Sequence, residues 1–345
     1  MRKHIYCESK FLETCISKIN NWKFSPDNIE EFQLWICIKT MIFSRNIILH
    51  LDITDDDLPK FDGVRPSKQF ADWQKEIAAK RNTSEIHLRL GNFVTLQSID
   101  KSDDTQLTAY YLTCCDSTTC RNCMNECGVL AICPDNINDF KDILYDNGTA
   151  IKKNEPTEWG KILRSYPCNS LILIDNYALS DQNIIERNFL QILNTILPQS
   201  WGYEIPFQIS VYTSLREDRG KDFFDSIVKM IDQLRENFYF RFSLYKCGLN
   251  DFHDRVILTN NCLIVCGGGF DLIRRNNISS KNTIINVVIP FFYQSAKWSA
   301  KAYSNFIEDV VFVSNGISKF DSNREPRFQN KFYIGDNNNR LITQC

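Results

Sequence analysis

From Leu171 onward, apolar runs of strand length alternate with helical ones, and this alternation constrains the fold more than any other feature of the chain. Strand patterns at 171–175, 207–213 and 239–245 are separated by helical patterns at 183–197 and 221–237. Strand patterns at 255–259, 262–267 and 283–292 follow, then a last helix at 296–308. Elements that alternate with short connections fold as an α/β structure, a sheet flanked by helices.

The first 150 residues read differently. The spacing of Phe11, Ile16 and Ile19, and of Ile29, Phe32, Trp35, Ile38 and Met41, predicts helices over 8–19 and 26–44, with Ser25 as a cap before Pro26. Another helix is expected at 68–80, and 85–90, 93–98 and 107–113 alternate like strands. Trp35 and Trp73 read as core, and Asp55, Asp56 and Asp57 as a solvated turn. The polar stretch from Asn147 to Pro156 is the expected boundary, giving domains 1–150 and 151–345. The fold class is thus α/β (α+β overall), with a mixed helical and cysteine-rich domain ahead of the sheet.

A chain of 345 residues suffices for two cores, and 40 basic against 42 acidic side chains exclude a protein that is basic throughout. Nucleic acid would have to meet a local patch. No apolar run approaches the roughly 18 to 20 residues of a membrane span, and Glu8 interrupts the start before a signal sequence could form. A cytoplasmic protein is expected.

Of 14 cysteines, Cys114, Cys115, Cys120, Cys123, Cys127 and Cys133 fall close together. Without a secretion signal this clustering fits reduced thiols better than disulfides. Cys120, Cys123, Cys127 and Cys133 can supply the four soft ligands that tetrahedral structural zinc requires, with Cys114 or Cys115 as substitutes. An iron–sulfur cluster, or buried thiols without metal, are the other readings.

The chemistry-bearing pattern is His253-Asp254-Arg255, then Asn260, then Gly267-Gly268-Gly269, in the form H-x-R-x4-N-x6-G-G. A neutral imidazole can attack phosphorus and form a phosphohistidine, and a guanidinium can neutralise the non-bridging oxygens. On a strand, His253 and Arg255 would share a face, and glycines let backbone N–H groups approach an anion. These residues resemble the phospholipase D superfamily signature, with Arg255 in place of its lysine and Asn260 in place of its aspartate. Residues Ile172 to Tyr177, which include Asp175, resemble an upstream strand of the same family. Within it, Phe252-His253-Asp254-Arg255 and Gly269-Phe270-Asp271 look most like the single-motif C-terminal domain found after microtubule-interacting-and-trafficking domains, and its bacterial relatives.

The resemblance implies a phospholipase-D-like sheet whose site comprises His253, Arg255 and Asn260 as catalytic residues, with Gly267, Gly268, Gly269 and Asp175 as phosphate contacts. It implies a phosphodiesterase, foremost a nuclease, needing no metal for chemistry and set in a context such as anti-phage defence. Family enzymes use two histidines, so activity would need a homodimer joining two His253 side chains. The competing reading is a binding or interaction module that holds a phosphate of nucleic acid, phosphoinositide or protein without cleaving it. A protein partner could engage the N-terminal domain. The basic and aromatic residues from Lys319 to Arg340 read first as an ordinary C-terminal strand, and second as a nucleic-acid track.

Overall fold

The computed structural model describes residues 2–23, 25, 28–60, 70–140, 149–152, 167–199, 201, 204–215, 219–266, 269–270, 284–288 and 296–342. Pro26, Gly267, Gly268 and most of the 147–156 stretch lie outside the described residues. The chain divides into two compact units: Met1–Met124 with Val129–Asn147 and Ile289–Ala300, and Asn125–Gly128 with Gly148–Val288 and Lys301–Cys345. Both combine helices with a sheet, so the α/β class holds.

The first unit contains a five-stranded, wholly parallel sheet. Its strands are β1 (Lys3–Cys7), β2 (Ile47–Leu51), β3 (His87–Leu90), β4 (Tyr110–Leu112) and β5 (Leu130–Ile132), in the order β3-β2-β1-β4-β5. Parallel neighbours need crossovers. Helices α1 (Ser9–Asn20) and α2 (Ile29–Ile42) join β1 to β2, and α3 (Asp72–Asn82) joins β2 to β3. The short α4 (Asp104–Thr108) precedes β4, and α5 (Ser117–Cys127) precedes β5. Phe11, Leu12 and Cys15 of α1 and Leu34, Trp35 and Ile38 of α2 are buried, as is Trp73. Each such aliphatic or aromatic side chain contributes about 1.5 to 3 kcal/mol on burial.

This sheet corrects the sequence reading in three places. Residues 3–7 and 47–51 are strands that the helical pattern did not reveal. Residues 93–98 do not form a strand; they include a 3-10 turn at Leu96–Ser98. The expected strand at 107–113 divides into the end of α4 and β4.

The second unit is built on nine strands: β6 (Thr149–Lys152), β7 (Ser170–Ile174), β8 (Phe207–Thr213), β9 (Phe240–Lys246), β10 (Val256–Thr259), β11 (Leu263–Cys266), β12 (Ile284–Val288), β13 (Ser318–Lys319) and β14 (Phe332–Gly335). Their order is β13-β14-β9-β8-β7-β10-β11-β12-β6. The centre is parallel, β7 to β8 to β9, and every residue of β7 and β8 is buried, including the polar Gln208, Ser210 and Thr213 of β8. Strand β10 lies antiparallel to β7, with Val256 opposite Ile174 and Thr259 opposite Leu171, and turns back as a hairpin into β11. A helical segment starting at Gln182–Ile184 passes through a π turn at Ile185–Phe189 into α6 (Leu190–Ile196). Helices α7 (Lys221–Asp232) and α8 (Ala296–Asn315) follow. Among the described residues, no helix is long and apolar enough to cross a membrane.

Candidate phosphate-binding site

The antiparallel register of β10 on β7 brings the residues just beyond their paired ends together, Asp175 after β7 and Arg255 before β10. Asp175 is 2% exposed, and both carboxylate oxygens accept backbone N–H groups: Tyr177 N donates to Oδ1 at 2.9 Å and Phe270 N to Oδ2 at 2.8 Å. The sequence reading placed Asp175 among the phosphate contacts. The structure instead turns it toward protein donors, where it ties the end of β7 to the segment after β11.

Gly269 has a φ of +77°, and a Cβ there would lie 3.1 Å from Arg255 Cδ and 3.3 Å from Asp175 Oδ2. Only glycine allows the backbone to lie this close with that dihedral angle. Arg255 thereby packs its side-chain stem against the bare Gly269 backbone, and its guanidinium carbon stands 5.8 Å from the centre of the Tyr177 ring. Tyr177 is half exposed. The cavity beneath, about 40 Å3, is lined by Asp175, Asn188, Arg255 and Gly269 among others, little more than the space of one water. Any ligand must therefore be met at the open mouth.

His253, two residues before Arg255, does not line that cavity and is not on a strand, because β10 begins at Val256. The expectation that His253 and Arg255 share a strand face is corrected accordingly. The preceding loop is anchored instead: Phe252 is buried edge-on to Tyr212 at 5.7 Å, Gly248 N donates to Asp251 Oδ2 at 2.7 Å, and Lys331 pairs with Asp251 at 2.7 Å. With Phe252 pinned inward, the imidazole of His253 projects outward with its side chain 100% exposed, and Nδ1 lies 3.2 Å from Asp254 Oδ1. Neither Tyr177 nor Phe252 was singled out from sequence as a site residue. Their signal was an aromatic one or two positions from a chemical residue, Phe252 before His253 and Tyr177 after Asp175.

Asn260 is at the far end of β10. Five residues at about 3.3 Å each put it roughly 17 Å from Arg255. It is 1% exposed, its Oδ1 accepts Asn169 N–H at 3.0 Å, and its Nδ2 donates to Gly128 O at 2.8 Å. Asn169 Nδ2 donates to Cys127 O at 2.8 Å, and Asn261 Nδ2 to Pro167 O at 2.6 Å. Asn260 therefore belongs to a buried amide network away from Arg255, which corrects its placement beside it among the catalytic residues.

The cysteine segment is helical. Asp116 caps α5 by accepting Thr119 N–H at 2.9 Å, and Cys120, Cys123 and Cys127 follow at helical spacing, all buried. Cys120 and Cys133 interact, and burial first, then Cys133, pushes the Cys120 thiol well up. Cys123 Sγ points at Leu96 O, 3.8 Å away. Among the described residues, no three His, Cys, Asp or Glu side chains form a metal-holding group.

Within the C-terminal stretch, Phe332 and Arg340 are interior residues. Arg340 Nη1 donates to Asn169 O at 3.2 Å and Nη2 to Pro206 O at 3.1 Å. Two members of the supposed nucleic-acid track are thus committed to the fold. No protein-family model matches the chain, and no curated protein matches it significantly.

Proposed function

We propose that the second unit is a phosphate-recognition module of phospholipase-D-like design, with Arg255 as the anion contact and His253 and Tyr177 flanking it. The observation that carries this reading is the setting of Arg255, opposite buried Asp175 at the strand ends and packed against Gly269 at positive φ. A guanidinium held in this way keeps its fork geometry for phosphate oxygens. Tyr177 adds a flat surface for stacking a base. The ligand class is a phosphodiester or phosphomonoester, with nucleic acid first.

A second reading, a phosphodiesterase or nuclease acting through His253, is favoured by the full exposure of that imidazole and its contact with Asp254. The carboxylate orients the ring, as nucleophilic use requires. Of the chain's four histidines, His253 is the one in the second unit, so that unit by itself does not supply a second catalytic histidine.

Binding of labelled single-stranded oligonucleotide separates the two. Arg255→Ala is expected to weaken binding by about tenfold or more, since a charge-assisted hydrogen bond contributes about 1.5 to 3 kcal/mol. His253→Ala is expected to leave affinity within about threefold, because the imidazole is not the anchor. Cleavage by the wild type that His253→Ala abolishes would establish the enzymatic reading, whereas no loss of binding in Arg255→Ala would sink both.

Zinc is the cofactor proposed for the thiol cluster, with Cys120 and Cys133 as the pair in contact and Cys123 released from Leu96 to join them and Cys127 or Cys115. Protein prepared under reducing conditions is then expected to carry about one zinc per chain, lost on Cys120→Ser with a fall in thermal stability. Elemental analysis finding neither zinc nor iron would leave these residues as buried thiols.

A further inference from the structure

The first unit has a cleft that the phosphate reading does not use. It measures about 540 Å3 and lies between the sheet and the β3–β4 connection, lined by His4, Tyr6, His50, Arg89, Phe93 and Asp103 among others. The register explains the clustering: Tyr6 pairs with His50 and with Tyr111, and His50 pairs with Arg89, which sets Arg89, His50, Tyr6 and Tyr111 in one row on one face. Tyr6 is stacked between His50 at 4.4 Å and Tyr111 at 5.3 Å, and Phe93 of the connection meets it edge-on at 6.1 Å.

Two observations point to a ligand. His4 Nδ1 and His50 Nε2 are 3.0 Å apart, so one ring N–H donates to the other. The remaining His50 nitrogen, Nδ1, is sealed from solvent with only the backbone of Asn92 acting on it and no well-formed hydrogen bond, in a residue 4% exposed. A buried ring nitrogen without a good partner is costly unless something else supplies one.

The electrostatics limit the ligand's charge. Arg89 is an exposed cation at the rim. Asp103, across the cleft, is committed to capping α4, accepting Thr105 N–H at 2.8 Å and Gln106 Nε2–H at 2.9 Å. The N-terminus of α1, where a diphosphate could sit, already carries the chain's own carboxylate, since Ser9 N donates to Asp52 Oδ1 at 2.6 Å. Glu8 closes the neighbouring turn by accepting Thr113 Oγ1 at 2.5 Å and Cys114 N–H at 2.7 Å. A dinucleotide mode is therefore blocked, and one cation at the rim remains.

We propose that this cleft binds a mononucleotide-sized ligand, with its single phosphate on Arg89 and its planar, hydrogen-bonding ring against Phe93 and the His4–His50 pair. Its volume falls within the range of small-molecule pockets. The site is independent of Arg255.

Calorimetry and thermal shift on the full chain, with AMP, GMP, CMP and UMP each at millimolar concentration, test it. At least one is expected to bind and raise the first unit's transition, and adenosine and inorganic phosphate are each expected to bind more weakly. Arg89→Gln, an exposed substitution, is expected to weaken the bound mononucleotide about tenfold without lowering the unliganded transition. Arg255→Ala should leave it unchanged. In proton NMR, the His4 and His50 imidazole signals should shift on addition. No binding by any of the four, or binding that Arg255→Ala removes and Arg89→Gln does not, would overturn the proposal.

Discussion

Asn260→Asp is expected to destabilise the second unit by about 3 to 5 kcal/mol at pH 7, the range for a buried charge left without compensation. The substitution completes the sequence pattern, yet the structure gives it no chemistry to restore. Asn260 uses both ends of its amide, accepting Asn169 N–H and donating to Gly128 O. An ionised aspartate can still accept, but its second oxygen would face the Gly128 carbonyl, and burial removes the water that would otherwise solvate it. Its folded-state pKa therefore rises above the unfolded value of about 3.9.

Between those two values the native state holds a proton that the unfolded state gives up, so stability falls as pH rises. The deficit is complete above the folded pKa and disappears below about pH 4, where the neutral acid can donate to Gly128 O as the amide does. Urea unfolding of variant and wild type at pH 7 and near pH 4 measures the difference directly. Equal stability at pH 7, or phosphodiester cleavage gained on substitution, would contradict this placement of Asn260.

The legible part of the fold follows from continuous apolar character. The runs Ser170–Ile174, Phe207–Thr213 and Leu263–Cys266 are buried strands with few polar interruptions, and their pattern located them to within about two residues. Strands β1 and β2 were hidden because Lys3, His4 and His50 interrupt them; His4 and His50 line the cleft on the sheet face, and Lys3 lies over the Tyr110 ring. Cysteine spacing is ambiguous for a related reason. Cys120, Cys123 and Cys127 at intervals of three and four suit a metal knuckle and a helix face alike, and the cap at Asp116 decides for the helix.

At the candidate site, His253, Arg255 and Gly269 were visible as a pattern, but their geometry was not. Whether Arg255 falls opposite Asp175 depends on the antiparallel register of β10 against β7, a non-local pairing that spacing alone does not fix. The same register carries Asn260 away to the opposite end of the sheet. A motif written along one strand therefore joins two environments, one open to solvent and one buried.

The stability of the first unit is expected to decline as pH falls from 6.5 to about 4, with His4 and His50 as the cause. Burial is the main reason both imidazoles are pushed down to about 4, with Arg89 and Lys3 adding for His4, and His4 and Arg89 adding for His50. Asp103 pulls His4 the other way, and the Asn92 backbone does so for His50, but neither prevails. The 3.0 Å contact needs one ring to donate and the other to accept, so a proton on the accepting nitrogen sets two donors against each other. The unfolded chain takes up protons near 6.5 while the folded unit does not until about 4, so stability is fully present above 6.5 and is lost through that window. The two steps belong to the pair, not to either ring. Thermal unfolding across pH 4 to 8 should give a transition that is flat above neutrality and falls below it, with His50→Gln flattening the acid limb even if its neutral-pH transition is lower. A first-unit transition indifferent to pH over that range, or imidazole NMR midpoints for His4 and His50 near 6.5, would show that the pair is neither buried nor coupled as the register places it.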